Sequence, residues 1–374
     1  MRTGEALSPT DEAELAEAVR AADVPLRIVG GGTRDIGRPV DGQVLSVAGL
    51  SGVTLYEPGA LTLVVRAGTP LAEIEALLAG QNQRLPFEPM DHRGLLGTKG
   101  APTIGGAIAA NVSGPRRVQV GAARDFVLGA RFVDGSGTVI SNGGRVMKNV
   151  TGTDLARLIC GAHGTLGVLT EVSLKVLPDV SFAADLTFEG LDDGAAVAAM
   201  SDALGTPFEV TGAAHDALAG TTRLRLEGAE ASVRYRAGAL AQRLSRYGAA
   251  RTCDNCAARW AAIRDAAPFH GTDDDVWRVH ARPSAAAGLV ARADARRTLY
   301  DWGGGLIWIG CAPGTDLRAR LGDFDGHATL VRAGEGTRRA IPPFAPPSTP
   351  IAGLSAGLRA RFDPRGILNP GLME

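Results

Sequence analysis

The placement of glycine constrains this sequence more than any other feature. Between positions 101 and 167 it recurs among small and β-branched residues: Ala101-Pro102-Thr103-Ile104-Gly105-Gly106, then Asn111-Val112-Ser113-Gly114, then Gly161-Ala162-His163-Gly164-Thr165-Leu166-Gly167-Val168-Leu169. A residue without a side chain lets backbone lie directly against a ligand. The stretch therefore predicts a floor for a large, flat molecule. A second cluster lies upstream, where the apolar run Leu26-Arg27-Ile28-Val29 leads into Gly30-Gly31-Gly32-Thr33-Arg34. A strand ending in such a turn presents several N–H groups in succession, the geometry of an anion nest. The dinucleotide fingerprint G-x-G-x-x-G, with its following helix and downstream acid, is missing. Taken alone, the triplet also fits a plain tight turn.

At 374 residues the chain has room for two or three domains. Its net charge of −1 argues against a general nucleic-acid binder. The four cysteines include the pair Cys253-x-x-Cys256, but no further ligands stand at zinc or iron–sulfur spacing, so no metal is expected. The first nine residues lack the basic and apolar regions of an export signal, and no apolar run approaches the roughly 20 residues of a membrane span. A cytoplasmic setting is expected, with any membrane contact peripheral, at the inner face or through a partner.

The pattern predicts a capped helix after Asp11, strands near 44–47, 52–56 and 61–68, and a helix over 71–78. A loop over 90–100 leads to the glycine floor, a hairpin turns at 134–137, and a strand covers 168–176. From 182 onward glycine thins out, and strands alternate with helices over 193–204, 230–247 and 284–297. Repeated β-α-β units of this size suggest a ferredoxin-like sheet with helices on one face. A proline-rich connector over 341–350 precedes a final helix over 354–362.

The order of these motifs resembles the vanillyl-alcohol-oxidase/PCMH-type FAD-binding flavoproteins, and within them the FAD-binding E subunits of bacterial glycolate oxidases. The resemblance rests on residues 113–117, 124–129, 146–155 and the phrase Phe362-Asp363-Pro364…Ile367-Leu368-Asn369-Pro370-Gly371. It covers 1–180 and the tail well, and the middle loosely. It implies an α+β fold: a PCMH-type FAD-binding domain of two α/β subdomains over 1–180, a ferredoxin-like cap over 181–340, and a segment over 341–374 that returns to the first domain. It assigns the FAD diphosphate to Gly30, Gly31, Gly32, Thr33 and Arg34. The rest of the cofactor falls to Thr103, Ile104, Gly105, Gly106, Asn111, Gly114, Gly164, Gly167, Leu169 and Asn369. It also implies a 2-hydroxy acid such as glycolate as the electron source, a larger sister flavoprotein and an iron–sulfur subunit. The alternatives are a stand-alone FAD enzyme for another substrate and a scaffold that has lost flavin.

Two departures from the family pattern are informative. No histidine or cysteine occupies the first glycine turn, so the flavin is expected to be non-covalent. Related dehydrogenases gather histidines in their C-terminal half, often around a metal. Here His92, His163, His215, His270, His280 and His327 are scattered, and no two are spaced as a ligand pair. The expectation is a flavin site without a complete substrate site, so that the chain relays electrons. His92 reads as a solvated loop residue, with a flavin or substrate contact as the alternative. Arg116, Arg117, Arg278, Arg282 and Arg338 are candidates for carboxylate binding, or else members of ion pairs. Trp260 and Trp277 read as core anchors, and Lys148-Asn149 as the polar candidates nearest the flavin.

Overall fold

The computed structural model describes residues 5–145 and 152–374. The Lys148-Asn149 pair therefore lies outside the described residues. The chain opens with the helix Glu12–Ala21, whose N-cap Asp11 accepts the Glu14 N–H. Leu15 and Val19, on one face of this helix, pack against β1 (Leu26–Val29) and β2 (Gln43–Ser46), a parallel pair. The tail closes this small layer: Leu26 bridges Leu368, and Ile367 and Leu368 complete its core. A segment more than 300 residues downstream is thus part of the first structural unit.

Next come β3 (Val53–Glu57), β4 (Thr62–Arg66), β5 (Gln83–Arg84), β6 (Val127–Val133), β7 (Val139–Gly143), β8 (Val168–Lys175) and β9 (Leu177–Pro178). Five of them form an antiparallel sheet in the order β3-β4-β8-β6-β7, while β5 pairs with β9. β4 is buried along Thr62, Leu63, Val64 and Val65, which suits its β-branched content. The helices Leu71–Ala79 and Ile104–Ala109 cover this sheet through Ile74, Leu78, Ile104 and Ile108. The expected loop over 90–100 contains a short helix, Arg93–Leu96.

The remaining strands are β10 (Phe182–Glu189), β11 (Val210–Asp216), β12 (Thr221–Gly228), β13 (Arg251–Asp254), β14 (Asp275–Ala281), β15 (Arg297–Asp301), β16 (Leu306–Cys311) and β17 (Gly326–Arg332). They build one eight-stranded antiparallel sheet, ordered β13-β10-β12-β11-β15-β16-β14-β17. Each half is a βαββαβ unit, and the halves join edge to edge where His215 and Asp216 of β11 pair with Tyr300 and Leu299 of β15. The ferredoxin-like pattern is therefore present twice. The pattern reading missed β13, β15 and β17 because each follows a helix with only a short link. The helix expected over 284–297 ends at Ala293, and β15 occupies its last positions.

Period-two alternation divides this sheet. Trp277, Val279, Tyr300, Ile307, Ile309, Ala328 and Leu330 face the helices Asp193–Leu204, Glu230–Arg243, Pro283–Ala293 and Leu317–Leu321. The alternate set, including Val276, Leu299, Leu306, Trp308 and Val331, packs instead with Met90, Leu95 and Val112 from the first half. This second face carries the site described below. Trp260 and Trp277 are buried, as expected of core residues.

Ionic contacts lock the two halves together. Arg225 of β12 grips Glu88 with two parallel bonds, Nη1–Oε1 at 2.8 Å and Nη2–Oε2 at 2.9 Å. Glu88 also accepts the Arg116 N–H at 2.9 Å. Arg116 and Arg84 both reach Glu227, at 3.4 and 2.9 Å. Burial raises the Glu88 carboxyl above its ordinary range, and Arg225 opposes that shift. A bidentate, desolvated pair of this kind costs most when one partner is removed.

Candidate functional site

The chain leaves β1 through the turn at 30–34. The N–H groups of Gly30, Gly31, Gly32, Thr33 and Arg34 make no hydrogen bond among the described residues. Gly31 is glycine for a reason the sequence hides: a Cβ there would stand 1.6 Å from the Ala101 carbonyl oxygen. The two glycine segments are pressed against each other, so part of their glycine content serves chain-to-chain contact. Thr103 caps the helix Ile104–Ala109, and its Oγ1 accepts the Gly106 N–H at 3.3 Å. Opposite, His163 and Gly164 form a left-handed turn with φ of 51° and 72°. Asn369 ties it down: Oδ1 accepts the Ile28 N–H at 2.8 Å and Nδ2 donates to the His163 carbonyl at 2.9 Å.

These segments enclose a groove of about 160 Å³. It is lined by Gly30, Gly31, Gly32, Thr33, Arg34, Thr103, Gly105, Gly106, Gly164, Gly167, Leu169 and Asn369, twelve of the fifteen residues expected at the cofactor. Three lie elsewhere. Ile104 is fully buried in the core, and its N–H donates to the Thr69 carbonyl at 3.0 Å. Asn111 and Gly114 line a second cavity, and Asn111 Oδ1 accepts the Arg124 N–H at 3.1 Å.

That second cavity, about 660 Å³, lies between the glycine floor and the free face of the eight-stranded sheet. It shares Arg34, Ile36, Ala110 and His163 with the groove, so the two adjoin. Alternation along β14–β17 aims Arg278, His280, Asp301, Leu306, Trp308, His327 and Thr329 at it. His280 stands opposite His327 in the β14–β17 register, and the two rings stack at 4.6 Å. His92 and His163 line it as well. The fold thus brings four of the six histidines to one cavity, while His215 and His270 lie outside it. His92 is a buried residue that accepts from Arg34 Nε at 3.2 Å, which corrects its reading as a solvated loop histidine.

The electrostatics of the cavity are lopsided. Five arginines line it: Arg264 pairs with Asp265 and Arg359 with Glu374, whereas Arg34, Arg117 and Arg278 have no carboxylate partner among the described residues. Burial pushes the guanidiniums of Arg34 and Arg278 down to about 10. Burial and the neighbouring arginines push His163 to about 4 and His280 to about 2, and also lower His327 and His92, so the histidines are neutral. Asp301 is the one carboxylate that lines the cavity among the described residues. Burial pushes it up to about 7, although the Trp302 N–H donates to Oδ1 at 2.7 Å. The other arginine candidates are ion pairs: Arg338 with Asp35 at 2.9 Å, Arg282 with Asp325, and Arg116 with Glu227. Burial raises the Cys256 thiol to about 11, which makes it inert, and no metal-binding cluster exists among the described residues.

The groove fits a flavin dinucleotide. The five residues whose N–H groups have no partner among the described residues all line it, and Arg34 Nη2 is buried without a partner. Fold and groove together define a PCMH-type FAD-binding flavoprotein. Residues 6–143 match the family model described as an FAD binding domain. Over 97% of this chain and 75% of its own, a solved structure of alkyldihydroxyacetonephosphate synthase superposes with a TM-score of 0.70 at 17% identity, which shows the shared fold. The glycolate oxidase subunit GlcE of Escherichia coli is 36% identical over 352 residues, 93% of this chain and 92% of that protein. The D-lactate dehydrogenase of Anaerostipes hadrus is 28% identical over 194 residues, half of this chain and 39% of that protein. The chain belongs to the GlcE family of FAD-binding subunits, and FAD is its cofactor.

Proposed function

We propose that this chain is the FAD-binding subunit of a 2-hydroxy-acid oxidase or dehydrogenase, accepting electrons as glycolate is converted to glyoxylate. The single observation that carries the reading is the wall that the flavin groove shares with an electropositive cavity of small-molecule size. The names of relatives, glycolate oxidase subunits and a D-lactate dehydrogenase, supply the substrate class. The residues that line the groove would hold FAD, which when bound would supply a two-electron acceptor for the substrate's hydride. The residues of this chain do the rest. The turn at 30–34 holds the diphosphate, the walls exclude water, and Asp301 takes the hydroxyl proton, its carboxyl poised near neutrality by burial. The partners of the complex are a larger sister flavoprotein and an iron–sulfur subunit, with any membrane contact peripheral. Among the described residues no helix is long and apolar enough to cross a membrane.

The test is anaerobic spectroscopy of the purified holoprotein. The flavin absorbance bleaches when glycolate or another short 2-hydroxy acid is added. A flavin that stays oxidised with every such acid, and is reduced only when the partner subunits are supplied, converts the reading to electron relay. No histidine or cysteine of the 30–34 turn is available to bond the flavin. Acid precipitation therefore leaves all flavin in the supernatant; flavin in the pellet refutes non-covalent binding.

A further inference from the structure

We infer that Arg278, assisted by Arg117, is the seat for a substrate carboxylate in the second cavity of this chain. The inference rests on the hydroxy-acid reading above and deepens it by naming the residues that select a small carboxylate.

Two guanidiniums converge here on one aromatic wall. Arg117 lies 4.7 Å and Arg278 lies 5.4 Å from the Trp302 ring, and Arg278 also lies 5.9 Å from Trp308. Each cation is attracted to the ring, yet each repels the other, and both stay charged at neutral pH. Neither makes an ion pair or a side-chain hydrogen bond among the described residues, although arginines elsewhere among those residues, such as Arg225 with Glu88 and Arg338 with Asp35, pair readily when a carboxylate is near. Nearby Asp301 attracts Arg278 but is itself held toward its neutral form by burial. The stacked His280 and His327 add no charge and leave ring nitrogens to bond a neutral hydroxyl. Leu306 and Val331 complete an apolar wall. A fork-shaped cation pair against an apolar wall is built for one bidentate carboxylate.

The trunk of the seat is rigid. Trp302 Nε1 donates to the Gly114 carbonyl at 3.0 Å, which anchors the ring between the two halves of the chain. The seat is therefore assembled only when the sheet sits on the glycine floor, beside the flavin groove.

The probe is oxalate, a two-carbon acid that cannot donate a hydride, titrated into FAD-loaded protein and followed by flavin difference spectra and calorimetry. Oxalate binds the native protein. Arg278→Leu weakens it by about 100-fold, and Arg117→Gln by about 10-fold. Arg278→Lys recovers only part of the loss, because an ammonium lacks the fork. The native-like flavin spectrum of each variant certifies the fold; a variant without it is replaced by Arg278→Gln. Unchanged oxalate affinity in Arg278→Leu overturns the seat. The two readings fail separately. Arg278-dependent oxalate binding with no hydroxy acid able to bleach the flavin keeps the seat and removes the hydroxy-acid function. Bleaching with an unchanged KM in Arg278→Leu does the reverse.

Discussion

The flavin groove and the adjoining cavity are made of different materials. The groove is backbone: free N–H groups at 30–34, a left-handed turn at His163–Gly164, and one asparagine that ties both to the tail. The cavity is side chain: Arg278, His280, Asp301, Trp308 and His327 come from four neighbouring strands that alternate toward one face. A backbone site tolerates little change in shape but almost any change in surrounding charge. A side-chain site behaves the opposite way, since each group can be removed without moving the chain. The comparison also separates the roles of glycine and arginine here, close approach in one case and uncompensated charge in the other.

The largest effect is expected where shape is attacked. Gly31→Val places new atoms where a Cβ already falls 1.6 Å from the Ala101 carbonyl oxygen. The two glycine segments are then driven apart, and the protein purifies colourless, with FAD affinity lowered at least ~100-fold by equilibrium titration. Retained yellow colour breaks the claim that the groove depends on backbone contact.

The next effect tests the joint between the two regions. Glu88→Gln leaves the Arg225 guanidinium buried beside a neutral amide, with Glu227 3.6 Å away as its remaining partner. Unfolding in urea should show a loss of about 3 kcal/mol. Because the cavity needs the sheet seated on the floor, oxalate binding weakens more than FAD binding in this variant. Equal losses remove the distinction between the two sites.

The smallest effect concerns charge inside the cavity. Asp301 is raised from its ordinary 3.8 to about 7 by burial. A carboxyl whose folded value is raised stabilises the fold below its unfolded value, and that contribution is lost as pH climbs through the folded value. Native stability therefore declines between about pH 4 and pH 7, and Asp301→Asn makes that stretch shallower by on the order of 2 kcal/mol. Glycolate turnover by the variant loses its rise toward neutral pH, while its FAD spectrum is unchanged. Identical stability profiles for the two proteins exclude Asp301 as the titrating group.

Most of the groove was legible in the sequence, because its determinants are local. A strand that ends in Gly30-Gly31-Gly32, the Thr103 cap and the Asn369 tail phrase each announce a backbone geometry within a few residues, and twelve expected positions do line the groove. A motif names a turn but not which residue faces inward: Gly105 lines the groove while its neighbour Ile104 fills the core. The cavity was legible only in part: Arg117 and Arg278 stood among the carboxylate candidates, but nothing local joined them to its histidines. His280 and His327 stand 47 positions apart and meet only because β14 and β17 are paired in a given register. A one-residue slip would turn both to the helix-covered face.

The sequence by itself determined the alternation of buried and facing residues along each strand and the glycine turns, since these follow from backbone geometry and side-chain period; the cofactor came from the resemblance of the motifs to a family. Only the tertiary structure decided that two βαββαβ units fuse at β11 and β15, that Glu88 and Arg225 clamp the sheet onto the floor, and that three arginines without a carboxylate partner among the described residues share one cavity with a stacked histidine pair. The reason is physical. Local geometry is fixed by neighbours in the chain, whereas the charge and burial of a side chain are fixed by whatever the fold brings against it.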